Sequence, residues 1–139
     1  MRKPNDGEAG YTLVELLVVL AIIGLLATIA TVQVMHYYAS AKVSTAHAQI
    51  TSLASALDLY KLDVGRYPTT QEGLQALVTK PPTAENWNGP YVKNAASLND
   101  PWGHTYIYVS PGQHDEYDLS SNGPDGGTAN GADPPIHNW

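Results

Sequence analysis

Residues 16–30 (LLVVLAIIGLLATIA) carry no charge, and between Tyr11 and Met35 the only charged side chain is Glu15. A helix rises about 1.5 Å per residue, so roughly 20 such residues cross the ~30 Å hydrocarbon layer of a bilayer. The run is apolar on every helical face. A surface helix of a globular domain carries only a stripe, so this segment needs lipid or other apolar helices around it. Arg2 and Lys3 precede it and place the N-terminus on the cytoplasmic side. A cleavable secretory signal would begin the same way, but its apolar stretch ends at small residues after roughly 7–15 positions. Here the small residues Ala39-Ser40-Ala41 lie well beyond that point, and TVQVMHYYASAKVSTA continues in a helix-compatible pattern.

With that segment subtracted, 139 residues leave room for one modest domain. The formal charge of −6 argues against a chain that holds nucleic acid by neutralising phosphates. A hydrophobic content of 43% against 14% charged residues is the reverse of a disordered composition. The absence of Cys excludes disulfides, thiol catalysis and Cys-based zinc sites. Phe is also absent, so aromatic packing falls to nine Tyr and to Trp87, Trp102 and Trp139, whose default role is core packing. His104 and His114-Asp115-Glu116 are the nearest approach to catalytic chemistry. No His-x-x-x-His pair, Gly-x-Ser-x-Gly elbow or phosphate-cradling glycine loop accompanies them, so the chain reads as a non-enzyme. His36 and His47 read as interface or solvated positions on the helix.

The helix continues past the apolar run. Ala46, Ile50, Leu53, Leu57 and Tyr60 recur at spacings of three and four, with Gln49, Ser52, Ser55 and Asp58 between them. Gly65 then suits a C-terminal cap. One helix over 12–63 would be about 75–80 Å long. Thr69 and Glu72 form a capping-box pattern for a short helix that buries Leu74, Leu77 and Val78, ended by Pro81-Pro82. Residues 83–103 read as irregular loop. Tyr106–Val109 and Tyr117–Ser120 are strand-like and flank a Ser-Pro-Gly turn. The expected fold is α+β: a long N-terminal α-helix, membrane-spanning in its first half, packed on a small C-terminal antiparallel β-sheet.

Glu15 is out of place in an apolar segment, where a carboxylate costs a few kcal/mol and usually has a partner. No cation lies within the run. Cleavage after Gly10 would create one, the α-amine of Tyr11. That amine is too near along the helix to serve its own Glu15 well, but it could serve the Glu15 of a neighbouring copy. The bland alternative is a carboxylate at the interface that simply favours a helix N-terminus.

Gly10-Tyr11-Thr12-Leu13-Val14-Glu15, followed at once by the apolar run, resembles the prepilin signature of the type IV pilin-like family. The resemblance implies that a prepilin peptidase cuts after Gly10, that Tyr11 becomes the methylated N-terminus, and that Glu15 guides subunit docking. The family usually has Phe where this chain has Tyr11, which keeps the ring. Similar chains often break the helix with Pro, where this one has Val32. The implied organisation is a leader over 1–10, a transmembrane and assembly helix over 11–35, and a periplasmic domain over 36–139. The pilin-like fold agrees with the α+β reading.

Further blocks narrow the likeness. Leu57-Asp58-Leu59-Tyr60-Lys61-Leu62-Asp63, Arg66-Tyr67-Pro68-Thr69-Thr70, Gly73-Leu74-Gln75-Ala76-Leu77, Asp100-Pro101-Trp102-Gly103, Ser110-Pro111-Gly112, Gly123-Pro124-Asp125-Gly126 and Asn138-Trp139 resemble, in order, the major pseudopilins of bacterial type II secretion. That implies a homo-oligomeric helical pseudopilus anchored in the inner membrane, single-pass, with the C-terminal domain in the periplasm. Its partners would be minor pseudopilins, the prepilin peptidase, an inner-membrane assembly platform and the secretin apparatus, and its growth would export folded proteins. A minor pseudopilin or a type IV pilin is the nearest alternative. Zero Cys disfavours the latter, many of which close their C-terminal region with a disulfide. A plain membrane-anchored periplasmic binding domain is the alternative from another class, and it would have no use for Glu15.

Residues 122–133 (NGPDGGTANGAD) gather carboxylate and carbonyl oxygens on a Gly-rich loop, and residues 94–139 contain no Lys or Arg. Oxygen ligands on such a loop suit Ca²⁺. The spacing is not that of an EF-hand, and a solvated turn has the same composition. The resemblance implies one structural Ca²⁺ in this loop, with Asp125 and Asp133 as side-chain ligands and Asn122 as a carbonyl ligand. Ala132 precedes Asp133 where relatives often have paired acids, which leaves Asn130 as a substitute oxygen.

Overall fold

A computed structural model of the chain describes residues 10–127 and 135–139. The elements are helix α1 (Leu13–Val64, 52 residues), 3₁₀ turns at Leu74–Leu77 and Ala95–Leu98, and strands β1 (Ile107–Val109), β2 (Asp118–Ser121) and β3 (Ile136–His137). The chain divides within α1 into two units, Met1–Ala39 and Ser40–Trp139.

In the first unit every described residue is exposed. The helix is long and apolar enough to cross a membrane, and none of its apolar window is buried within the chain. Its two threonines solve their own polarity: Thr28 Oγ1 donates to the Gly24 carbonyl at 2.7 Å and Thr31 Oγ1 to that of Ala27 at 2.8 Å. Hydroxyls satisfied inside the helix can be carried into hydrocarbon without an orphaned donor.

In the second unit the expected stripe of Ala46, Ile50, Leu53, Leu57 and Tyr60 is buried, joined by Ala56. Gly65 ends the helix with φ 87° and donates its N–H to the Lys61 carbonyl at 2.8 Å. Against the stripe pack Leu74, Leu77, Leu98, Tyr106, Tyr108 and Leu119, among others. Because Phe is absent, phenols do the work of rings, and apart from the fully buried Tyr60 hydroxyl, which has no hydrogen-bond partner among the described residues, most find one. Tyr106 donates to Gln49 Oε1, Tyr108 to the Pro68 carbonyl, Tyr67 to Asp58 Oδ1 and Tyr91 to Asp63 Oδ2, at 2.7–2.8 Å. Three of these partners lie on α1, so the tyrosines stitch loops and sheet to the helix as well as fill space. Burial pushes the Tyr108 and Tyr117 hydroxyls up to about 12, which keeps both neutral.

The sheet is antiparallel in the order β1-β2-β3, with Ile107 opposite Ser120 and Val109 opposite Asp118. The first two strands match the expected hairpin. The third, pairing Ser121 with Ile136, was not expected. Two other expectations change. The short helix after Thr69 is a turn followed by a 3₁₀ segment, because Gly73 interrupts it at φ 59°; Ala76 is buried there, while Val78 is only partly buried. Within the expected loop 83–103, Asn94 caps a 3₁₀ turn by accepting from Ser97 N at 3.1 Å, and this turn buries Leu98.

The capping box itself is present and does a second job. Glu72 Oε2 accepts from Thr69 N at 2.7 Å, and Glu72 N donates to Thr69 Oγ1. The same carboxylate receives the Arg66 guanidinium two-pronged, at 2.7 and 2.9 Å, and the Thr83 hydroxyl. The Arg66 bond above all, helped by those of Thr83 and Thr69, holds the Glu72 carboxyl at about 2 despite partial burial. The clamp joins the end of α1, the first 3₁₀ turn and the Pro81-Pro82 segment.

Candidate functional site

Two regions carry the sequence-derived site residues. At the first, Gly10 and Tyr11 precede α1 and are exposed, Tyr11 at 90%. Thr12 N and Thr12 Oγ1 donate to Glu15 Oε2 at 2.9 and 3.0 Å, and Glu15 N donates back to Thr12 Oγ1 at 3.2 Å. This is a reciprocal capping box. It carries the same Thr-x-x-Glu pattern as Thr69–Glu72. The box fixes the carboxylate at the first turn, where the helix dipole favours it. Both bonds fall on Oε2, which leaves Oε1 outside the box. Among the described residues Glu15 makes no ion pair.

The second region is the start of the 122–133 loop, and its anchor is Asp100. This carboxylate is buried, with Oδ1 accepting from Trp102 N at 3.0 Å and His104 N at 2.8 Å. Its Oδ2 accepts from the buried Ser121 hydroxyl at 2.6 Å. Ser121 Oγ in turn accepts from Gly123 N at 3.1 Å, and His104 Nδ1 lies 3.2 Å from the Gly123 carbonyl. The Asp100–Gly103 turn thereby grips the first residues of the loop. Asn122 Nδ2 reaches the Gly126 carbonyl at 3.5 Å. A Cβ at Gly127 would stand 2.6 Å from that same amide nitrogen, and a φ of 83° at this position favours glycine. Sequence reasoning missed Asp100 and Ser121 as supports. The signal was an acid opening a Pro-Trp-Gly turn opposite a serine at the end of a strand.

Of the four candidate ligands, Asn122 and Asp125 fall in the described part, and Asp125 is exposed. Asn130 and Asp133 lie outside the described residues. Among the described residues no three His, Cys, Asp or Glu side chains converge on one point. The oxygens present in the described part of the loop are the Asp125 carboxylate and backbone carbonyls, on a path turned by the positive-φ Gly123, Gly126 and Gly127. That chemistry fits a hard divalent cation such as Ca²⁺, with the described segment able to supply part of its coordination.

The far side of the loop is also tied down. Asn138 exchanges bonds with Leu119: N to the carbonyl at 3.1 Å, and Oδ1 from the amide at 2.7 Å. Trp139 does not enter the core as expected. It is 44% exposed and lies between His114 and His137, with ring centroids 4.2 and 4.3 Å away and planes nearly parallel. His114 is accordingly a stacking partner, with Nδ1 3.0 Å from Asp118 Oδ2. Trp87 and Trp102 pack on the core as expected.

Comparisons with known proteins agree along the chain. The family described as type II secretion system (T2SS), protein G matches residues 33–139, and the prokaryotic N-terminal methylation motif matches residues 5–31. The type II secretion system core protein G of Pseudomonas aeruginosa is 45% identical over 139 residues, covering 95% of each chain. That of Escherichia coli K12 is 43% identical over 99% of this chain and 94% of its own. Among solved structures, the major pseudopilin from the type 2 secretion system of enterohaemorrhagic Escherichia coli superposes with a TM-score of 0.64 at 39% identity, over 76% of this chain and 92% of its own.

Proposed function

The chain belongs to the type II secretion system protein G family, and from that premise we propose that it is the major structural subunit of a pseudopilus, polymerising through α1 to drive export of folded proteins. One observation carries the reading: an apolar helix exposed on every side, with a single carboxylate fixed at its first turn. Such a surface is stable only in lipid or against like helices. Cleavage after Gly10 leaves the α-amine of Tyr11 as the nearest new cation. On a neighbouring copy that amine can approach Glu15 Oε1 while Thr12 keeps Oε2. In hydrocarbon an ion pair of this kind strongly favours the one register that forms it.

The partners of this reading are the prepilin peptidase acting at Gly10 and Tyr11, minor pseudopilins, an inner-membrane platform and the secretin apparatus. The chain crosses the inner membrane once, with the C-terminal domain in the periplasm. Organisation follows as leader 1–10, assembly helix 11–35 and periplasmic domain 36–139. Asn122, Asp125, Asn130 and Asp133 would hold a structural Ca²⁺, which supplies positive charge to a loop that has no cationic side chain. The protein's own contribution is the Asp100–Ser121 support that sets the loop's first residues.

The reading is tested with Glu15→Leu. This variant should insert in the membrane and lose its leader normally, yet yield few filaments. Normal filament yield would remove the docking role.

A further inference from the structure

We propose that Asn122–Gly123 is a self-modification site, an asparagine that converts to aspartate or isoaspartate at a rate set by opening of the loop it begins. Glycine after asparagine leaves the backbone nitrogen unobstructed. That nitrogen, on losing its proton, can attack the side-chain Cγ. A new Cγ–N bond forms, the Cγ–Nδ2 bond breaks, and ammonia leaves with the proton. Water then opens the resulting succinimide at either carbonyl, giving aspartate or isoaspartate. The net change is asparagine plus water to acid plus ammonia. The chain holds three such pairs: Asn88–Gly89, Asn122–Gly123 and Asn130–Gly131.

At Asn122 both reacting groups are engaged. The Gly123 N–H, the nucleophile's source, donates to Ser121 Oγ at 3.1 Å, and Ser121 is itself buried and bonded to the buried Asp100 carboxylate at 2.6 Å. The Asn122 amide reaches the Gly126 carbonyl and fills the space where a Cβ at Gly127 would sit. The Gly123 N–H must leave Ser121 Oγ before its nitrogen can turn toward the Asn122 side chain, so the reaction proceeds through the open fraction of the loop. Conversion would be consequential. Aspartate adds a negative charge to a region without Lys or Arg, and isoaspartate lengthens the backbone next to the Ser121 anchor. The inference stands on the clamp geometry and does not need the metal.

The test uses the full chain in mild detergent at mildly alkaline pH, comparing wild type, Ser121→Ala and Asn122→Gln by peptide mapping. Loss of a bond to a buried carboxylate should speed acid formation at residue 122 about tenfold in Ser121→Ala. Asn88, away from the clamp, serves as the internal reference and should be unchanged. Asn122→Gln should abolish the signal at that position. Equal rates at residue 122 in wild type and Ser121→Ala would overturn the proposal. Hydrogen exchange of the Gly123 amide gives a check on the wild type alone. Its rate and that of acid formation should rise together with temperature, and a rise in one without the other would also overturn it.

Discussion

Replacing Glu72 by Gln keeps the side chain's size and one accepting oxygen for Thr69 N but removes the charge that Arg66 grips at 2.7 and 2.9 Å. The carboxyl sits at about 2, against an ordinary value of 4.5. A depression of that size corresponds to at most about 3 kcal/mol of stability. The Glu72 side chain is 14% exposed, but its Arg66 partner is 37% exposed, and water around the guanidinium brings the expected cost of Glu72→Gln to about 2 kcal/mol. For a unit of this size that is a fall in Tm of about 10 °C. The sign follows from the direction of the shift. A carboxylate lowered in the folded state stabilises above its ordinary value and loses that contribution as pH falls toward its folded value. The Tm difference between wild type and Glu72→Gln should therefore be full at neutral pH, shrink below about pH 4.5, and vanish only below about pH 2. Tryptophan fluorescence of the full chain in detergent reports it well, because Trp87 Nε1 donates to the Ala76 carbonyl at 2.8 Å, four residues from Glu72 in sequence. Equal Tm values at neutral pH, or a difference that stays constant into acid, would refute the clamp.

Leu57 is fully buried, while Leu59 on the same helix is 53% exposed. Leu57→Ala should cost about 2–5 kcal/mol in denaturant unfolding, and Leu59→Ala less than about 0.5 kcal/mol; similar losses for the two would contradict the placement of the core. For the loop, Asp125→Ala and a calcium chelator should each lower Tm, and the chelator should add little to the variant. A calcium concentration a hundredfold over Kd is worth about 2.7 kcal/mol, so an unchanged wild-type Tm across a calcium titration would dismiss the metal.

What could be read from sequence was what depends on neighbours along the chain. The stripe from Ala46 to Tyr60, the Gly65 cap and the hairpin of β1 and β2 follow from period and turn chemistry, and they form as expected. Strand β3 has two residues and no periodicity of its own; it exists because Asn138 and Ile136 find Leu119 and Ser121 across the loop. The Thr69–Glu72 box is local, but its extension to Thr83 and the pairing of Asp100 with Ser121 join positions 11 and 21 residues apart, so the local patterns mark the residues without naming their partners. For Trp139 size and apolarity suggest core, whereas the ring stacks on His137, two residues before it, and on His114 across the fold. The Thr12–Glu15 box is the reverse case: its Thr-x-x-Glu signal is local and complete, and it places the acid at the helix N-terminus while leaving Oε1 outside the box.

In the proposed role the chain is cut after Gly10 and then polymerises. Filaments sheared from cells producing this protein, analysed by intact mass with fragmentation of the first residues, test that directly. The expected result is a polypeptide beginning at N-methylated Tyr11. A chain that still carries residues 1–10, or cells that make the processed protein and no filament at all, would contradict it.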